Sequence, residues 1–141
     1  MAYIITNENS LYKIAADDTA KSKLNINESD YEITTISDAD FNKLKLQTGR
    51  LEYSNGSYSV VDISNVSIPN EDILKKQIEC NIDFFERWMD NNHGHSNYNT
   101  VNSYCNYLRS FDTSSLTYPV NQTFEQYLND NSIDFITPLQ I

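Results

Sequence analysis

Leu51-Glu52-Tyr53-Ser54-Asn55-Gly56-Ser57-Tyr58-Ser59-Val60 is the most decisive stretch of the sequence. Asn-Gly accepts the positive φ angles of a type I′ turn, so two residues join two antiparallel strands. That register sets Tyr53 opposite Tyr58 and Leu51 opposite Val60, on one apolar and aromatic face. A β-hairpin at the middle of the chain organises the reading of what lies on either side.

On its N-terminal side the residues stay strand-like. Tyr3-Ile4-Ile5-Thr6 and Leu11-Tyr12-Lys13-Ile14-Ala15 flank the turn residues Asn7-Glu8-Asn9, which predicts a second hairpin. Asp17 to Glu28 is polar apart from Leu24 and Ile26, and reads as a loop or one helical turn. Tyr31-Glu32-Ile33-Thr34-Thr35-Ile36 is β-branched and reads as a strand. Ser37-Asp38-Ala39-Asp40 opens a helix in the capping-box manner, with a carboxylate three residues after the cap. Phe41 and Leu44 form its inward face, and Gly49 is placed to end it in the left-handed conformation.

On the C-terminal side the period changes. Pro69-Asn70-Glu71-Asp72 is a helix start with acidic residues where the macrodipole favours them. Leu74, Ile78, Ile82, Phe85 and Met89 recur every three or four residues, predicting a helix from Asn70 to about Asn91. Val101, Tyr104, Cys105, Leu108 and Phe111 share one face of a second helix, which packs antiparallel on the first. A short third helix is expected at Thr123 to Asn129, followed by an apolar, extended tail from Ile133 to Ile141. The fold class is therefore α+β: a β-rich unit with hairpins and one helix at 1–66, and a helical unit with its tail at 67–141. Sixty-six residues make a marginal core alone, so the halves are expected to share one or lean on a partner.

Composition limits what such a chain does. The 141 residues carry 20 Asp and Glu against 10 Lys and Arg, a net charge of −10. This argues against duplex nucleic acid or an anionic membrane as partner, since both require a positive face. No apolar run approaches the roughly 20 residues of a membrane span, and the N-terminus lacks the pattern of a secretory leader. Cys80 and Cys105 stand 25 apart without a CxxC pair, and read as small buried apolar residues in a reducing compartment. His93 and His95 flank Gly94 in a polar turn and read as a helix connection; no metal is expected. Three glycines cannot spell GxGxxG or GxxxxGK[ST], so no phosphate loop and no cofactor is expected. The acidic pairs Asp17-Asp18, Asp38/Asp40 and Glu71-Asp72 each have a turn or a helix start to serve. With no nucleophile elbow and no loop cysteine, the reading is non-enzymatic, with no catalytic residue.

Ten tyrosines, six phenylalanines and one tryptophan suit either a protein that binds sugars or other proteins, because Tyr offers area and a hydroxyl at low entropic cost, or a small domain whose Tyr rings lie half in the core with their hydroxyls in water. The tail is a further pointer. Exposed, Phe135, Ile136, Leu139 and Ile141 would make an aggregation-prone edge, so they are docked on this chain or received by another. Tyr53, Tyr58, Phe135, Ile136 and Leu139 are the expected partner-binding residues.

The order Pro69-Asn70-Glu71-Asp72-Ile73-Leu74-Lys75-Lys76-Gln77-Ile78, Trp88-Met89-Asp90-Asn91-Asn92, Tyr104-Cys105-Asn106-Tyr107-Leu108-Arg109-Ser110-Phe111-Asp112, Leu116-Thr117-Tyr118-Pro119 resembles small accessory proteins of tailed bacteriophages. In outline it is similar to the tail-fibre assembly proteins, which have a helix, an aromatic-centred second helix ending in Leu-Arg, and a closing aromatic-Pro element. The Asn/Ser/Tyr-rich, Lys-poor style resembles proteins of marine phages. The resemblance spans residues 67–120; a second Trp-Pro usual in the family is absent after Tyr118-Pro119. It implies a virion structural or adaptor protein, made in the host cytoplasm and assembled in several symmetric copies with other virion proteins. A tail-fibre assembly chaperone, absent from the mature particle, is the alternative. A third is an acidic host-takeover inhibitor imitating nucleic acid, but the charge is spread as −4, −3 and −3 over 1–66, 67–92 and 93–141 rather than in one stripe.

Overall fold

In the computed structural model, which describes residues 1–141, Ala2–Asn7 (β1) and Ser10–Ala15 (β2) form the first hairpin. Glu8 and Asn9 both take positive φ, 51° and 65°, so this turn also has the twist that suits a two-residue connection. Glu32–Ile36 (β3) joins β1 on its other side, giving an antiparallel sheet in the order β2-β1-β3. Gly49–Ser54 (β4) and Ser57–Asp62 (β5) form a separate two-stranded sheet, with Tyr53 paired to Tyr58 and Leu51 to Val60. Asn55 and Gly56 adopt φ of 53° and 80° at its turn.

Asp38–Lys45 (α2) covers one face of the three-stranded sheet. Ala2, Ile4 and Ile14 meet Phe41 and Leu44 there, and Leu11, Ile36, Leu51, Tyr58 and Val60 close around them. Fully burying one such Ile, Leu or Phe is worth roughly 1.5–3 kcal/mol. Ser37 caps α2 by accepting from the Asp40 amide at 3.1 Å. The other end departs from expectation. The left-handed residue is Gln47 (φ 60°), not Gly49. Thr48 N–H donates to Lys43 O at 2.9 Å and Gln47 N–H to Leu44 O at 3.4 Å, the two bonds of a Schellman ending. Gly49 instead begins β4, where a Cβ would lie 2.9 Å from both Lys43 Cβ and Val60 Cγ1. Close approach, not positive φ, requires glycine there.

A second helix forms in this half, where a loop or a single turn was expected. Asp18–Lys23 (α1) is capped by Asp17, whose carboxylate accepts from the Ala20 amide at 2.8 Å. It buries no side chain of its own, so its apolar pattern was too weak to read.

Glu71–Asp90 (α3) and Tyr98–Ser110 (α4) form the helical part, and α4 runs back along α3. Phe85 meets Tyr104 edge-on at 5.7 Å, while Ile78 and Leu108 share one cleft two turns away. Asn70 caps α3 by accepting from the Ile73 amide at 3.0 Å. Phe124–Asp130 (α5) starts with a reciprocal capping box between Thr123 and Gln126 and buries Phe124 and Leu128. Ile68 and Val120 exchange backbone hydrogen bonds of 2.8 and 2.9 Å as an isolated bridge. The Tyr118-Pro119 peptide bond is cis.

The chain divides into two compact units, Met1–Ser64 with Leu139–Ile141, and Asn65–Pro138. The last three residues thus belong with the β-rich unit, where Leu139 packs on the α2 core. The tail is not extended throughout, because Pro138–Gln140 is a single 3₁₀ turn. Cys80 is exposed and Cys105 buried, both as thiols. Cys80 lies two residues past Ile78, about 200° around the helix from the inward stripe, so it cannot share that face.

Candidate interaction surface

The β4–β5 hairpin presents the most accessible aromatic group of the expected binding residues. Alternation along β4 turns Leu51 and Tyr53 to the same side, and Leu51 lies on the core. Tyr53, two residues nearer the tip, projects beyond the core and stays 45% exposed. Tyr58 is held differently. Its hydroxyl donates toward Thr6 Oγ1 at 3.0 Å and Asn9 Oδ1 at 3.3 Å, which fastens the hairpin to the first β-turn. The rings of Tyr53 and Tyr58 stand 4.9 Å apart at 54°, so Tyr58 sets where Tyr53 points. Each strand has one neighbour only, leaving an outer edge on both sides. Ion pairs Arg50–Glu52 at 2.7 Å and Lys43–Asp62 at 3.1 Å flank those edges. Being exposed, such pairs are worth a few tenths of a kcal/mol and act chiefly as charge on the edge.

A second aromatic pair was not legible in the sequence. The β1–β2 ladder skips Tyr12, since Ile5 pairs with Lys13 and Thr6 with Leu11. This bulge turns Tyr12 against Tyr31, stacked at 4.7 Å and 11°, with Tyr12 42% exposed. Alternation alone would have assigned Tyr12 to the other face, and a bulge resets alternation.

The tail residues are placed otherwise than as a partner surface. Ile136 is 8% exposed, as is Ile141, and Leu139 is packed on the α2 core. Phe135 is half-buried, its ring 6.3 Å from that of Tyr104. Of the two destinations for an apolar tail, this chain takes the first and docks it on itself.

The acidic pairs serve local structure. Asp17 caps α1, Asp18 accepts from the Tyr3 hydroxyl, and Glu71 accepts from the Thr113 hydroxyl at 2.7 Å. His95 Nδ1 accepts from the Asn97 amide at 3.0 Å, and His93 lies against Tyr98, so the two imidazoles have separate surroundings. No group of three or more His, Cys, Asp or Glu side chains converges.

Glu125 is the titratable group that the sequence hid. It sits in the first turn of α5, where an acidic residue ordinarily faces water. Here it is 8% exposed, with Oε1 receiving the Gln77 amide at 3.3 Å and Oε2 without any partner. Burial pushes its pKa up, while the bonds from its own amide and from Gln77 oppose the rise. Nearby Tyr104 is 4% exposed, and burial, with Glu125 adding to it, raises its phenol as well.

No family model, curated protein or solved structure matches the chain. No helix is long and apolar enough to cross a membrane.

Proposed function

We propose that this chain is a non-enzymatic structural or adaptor protein of a tailed-phage virion, working in several symmetric copies and touching its neighbours through the β4–β5 hairpin. The observation that supports this most is a two-stranded sheet with both edges open and an aromatic residue, Tyr53, displayed at its tip. An open edge is a template for a strand of another chain, and an exposed Tyr beside it supplies a contact at low entropic cost. The net charge of −10 keeps such subunits apart and soluble before assembly. The order of helices and aromatic residues over 67–120 agrees with this reading.

Mass spectrometry of purified particles tests it. The expected result is this chain at a fixed, symmetric copy number per particle. Tyr53→Lys should leave the circular dichroism unchanged and lower incorporation by about tenfold, the loss of a contact worth about 1.4 kcal/mol. Absence from particles together with abundance in infected lysate would reject the reading in favour of an assembly chaperone.

A further inference from the structure

The C-terminal end of α3 carries a cleft of about 350 Å³ lined by Phe84, Arg87, Trp88, Asn91 and Asn92. Phe84, Trp88 and Asn91 follow the i, i+4, i+7 pattern, so they share a helix face beside the buried stripe that holds Phe85 and Met89. The volume falls at the small end of the range for ligand sites, and the lining combines aromatic surface with a few fixed polar atoms.

Those polar atoms are oriented by the helix end itself. Asn91 Nδ2 donates to Arg87 O at 3.0 Å, an orphan carbonyl of the last turn, and Asn92 Nδ2 donates at 2.7 Å to Trp88 O, which also takes the Asn91 N–H. Each amide nitrogen is thereby engaged on the helix end, which leaves the Oδ1 of each side chain as an acceptor at the cleft. Arg87 uses Nε and Nη2 on Asp83, at 3.3 and 3.1 Å, so its charge is balanced and Nη1 is left over. The Trp88 indole is set against the turn by the His95 ring, edge-on at 5.0 Å and 73°. The cleft therefore offers a positioned aromatic plane, two acceptors and one donor, with no net charge from the Asp83–Arg87 pair.

We propose that this cleft binds a neutral pyranose unit of a glycan. A sugar ring has an apolar C–H face to lay on the indole, and hydroxyls at its edge that both donate and accept. It donates to Asn91 and Asn92 Oδ1 and accepts from Arg87 Nη1. Competing ligand chemistries fit less well. A purely apolar ligand would cover the two amide oxygens without giving them a donor, at about 1–3 kcal/mol for each buried group left unsatisfied. An anion meets a chain of net charge −10 and a guanidinium already neutralised by Asp83. This inference goes beyond the adaptor reading and does not rest on it, since it concerns the isolated chain and a different part of it.

Trp88 is the single tryptophan of the protein, so its emission reports on this cleft alone. The test is titration of the full chain with methyl glucopyranoside, methyl galactopyranoside and methyl N-acetylglucosaminide, with sorbitol as a polyol that has hydroxyls but no ring face. At least one pyranoside should give a saturable change in emission, and sorbitol none. For the responding sugar, saturation-transfer NMR should show Trp88→Leu binding about tenfold more weakly, a change of about 1.4 kcal/mol, and Trp88→Tyr recovering most of it. Should Trp88→Leu lose its circular dichroism, Asn91→Leu is the working variant; it removes an acceptor at an exposed position and should weaken binding severalfold. No saturable response to any pyranoside, an equal response to sorbitol, or unchanged affinity in the folded variant would each overturn the proposal.

Discussion

At the scale of single residues, Glu125 and Gly49 are held by their surroundings in ways that make definite predictions. Glu125 keeps one oxygen unpartnered in the interior, and burial raises its pKa above that of an unfolded chain. The folded state therefore holds the proton more tightly than the unfolded one. The neutral acid contributes fully below the unfolded pKa of about 4.3, and that contribution is lost as pH rises through the folded value. Glu125→Gln, which stays neutral, should gain about 1–3 kcal/mol over the native chain near pH 7 and almost nothing near pH 4. Urea denaturation at a series of pH values checks this, and a gain that is constant with pH would contradict it. Gly49 is a steric case. An added methyl would meet Val61 O at 3.2 Å as well as Lys43 and Val60, and a backbone oxygen yields little. Gly49→Ala should cost about 1–3 kcal/mol, read as a lower urea midpoint at unchanged slope.

Elements in this protein form where local chemistry and tertiary packing agree, and the disagreements lie at their ends. The Asn55-Gly56 turn, the Ser37 and Asn70 caps and the inward stripe of α3 were legible because each depends on neighbours within about one turn of chain. With three glycines in the whole chain, left-handed positions fall to other residues, and Asn supplies them at 9, 25, 55 and 65. The end of α2 shows the same economy with Gln47, a type seldom found in that conformation. Gln47→Gly should keep the Schellman ending while removing about 1–2 kcal/mol of left-handed strain. Glycine adds about 0.5–1 kcal/mol of unfolded-state entropy, so the net gain lies between about 0 and 1.5 kcal/mol, centred at about 0.75. Set beside Gly49→Ala, this exchange separates conformational from steric causes two residues apart, and thermal unfolding of the two variants should shift in opposite directions.

For the whole molecule, the division into units matters most for the tail. Leu139–Ile141 belong with the β-rich unit, and Ile136 and Thr137 are buried as well. Removal of residues 135–141 should therefore lower stability by about 2–4 kcal/mol and reduce the midpoint of thermal unfolding by several degrees. A truncated chain with unchanged midpoint would mean that these side chains contribute no core. By itself the sequence determined the α+β class, both hairpins, the register of Tyr53 with Tyr58, and the amphipathic faces of α3 and α4. All of these follow from turn chemistry and periodicity over a few residues. Tertiary structure alone decided that Tyr12 leaves its strand's alternation, that Glu125 is buried, that Gly49 is a contact point, and that the tail is docked. The physical reason is the same in each case. Whether a side chain meets water, an amide or another methyl is set by residues on other elements, from Lys43 and Val60 beside Gly49 to Gln77 beside Glu125, and local pattern carries no information about which of them arrive.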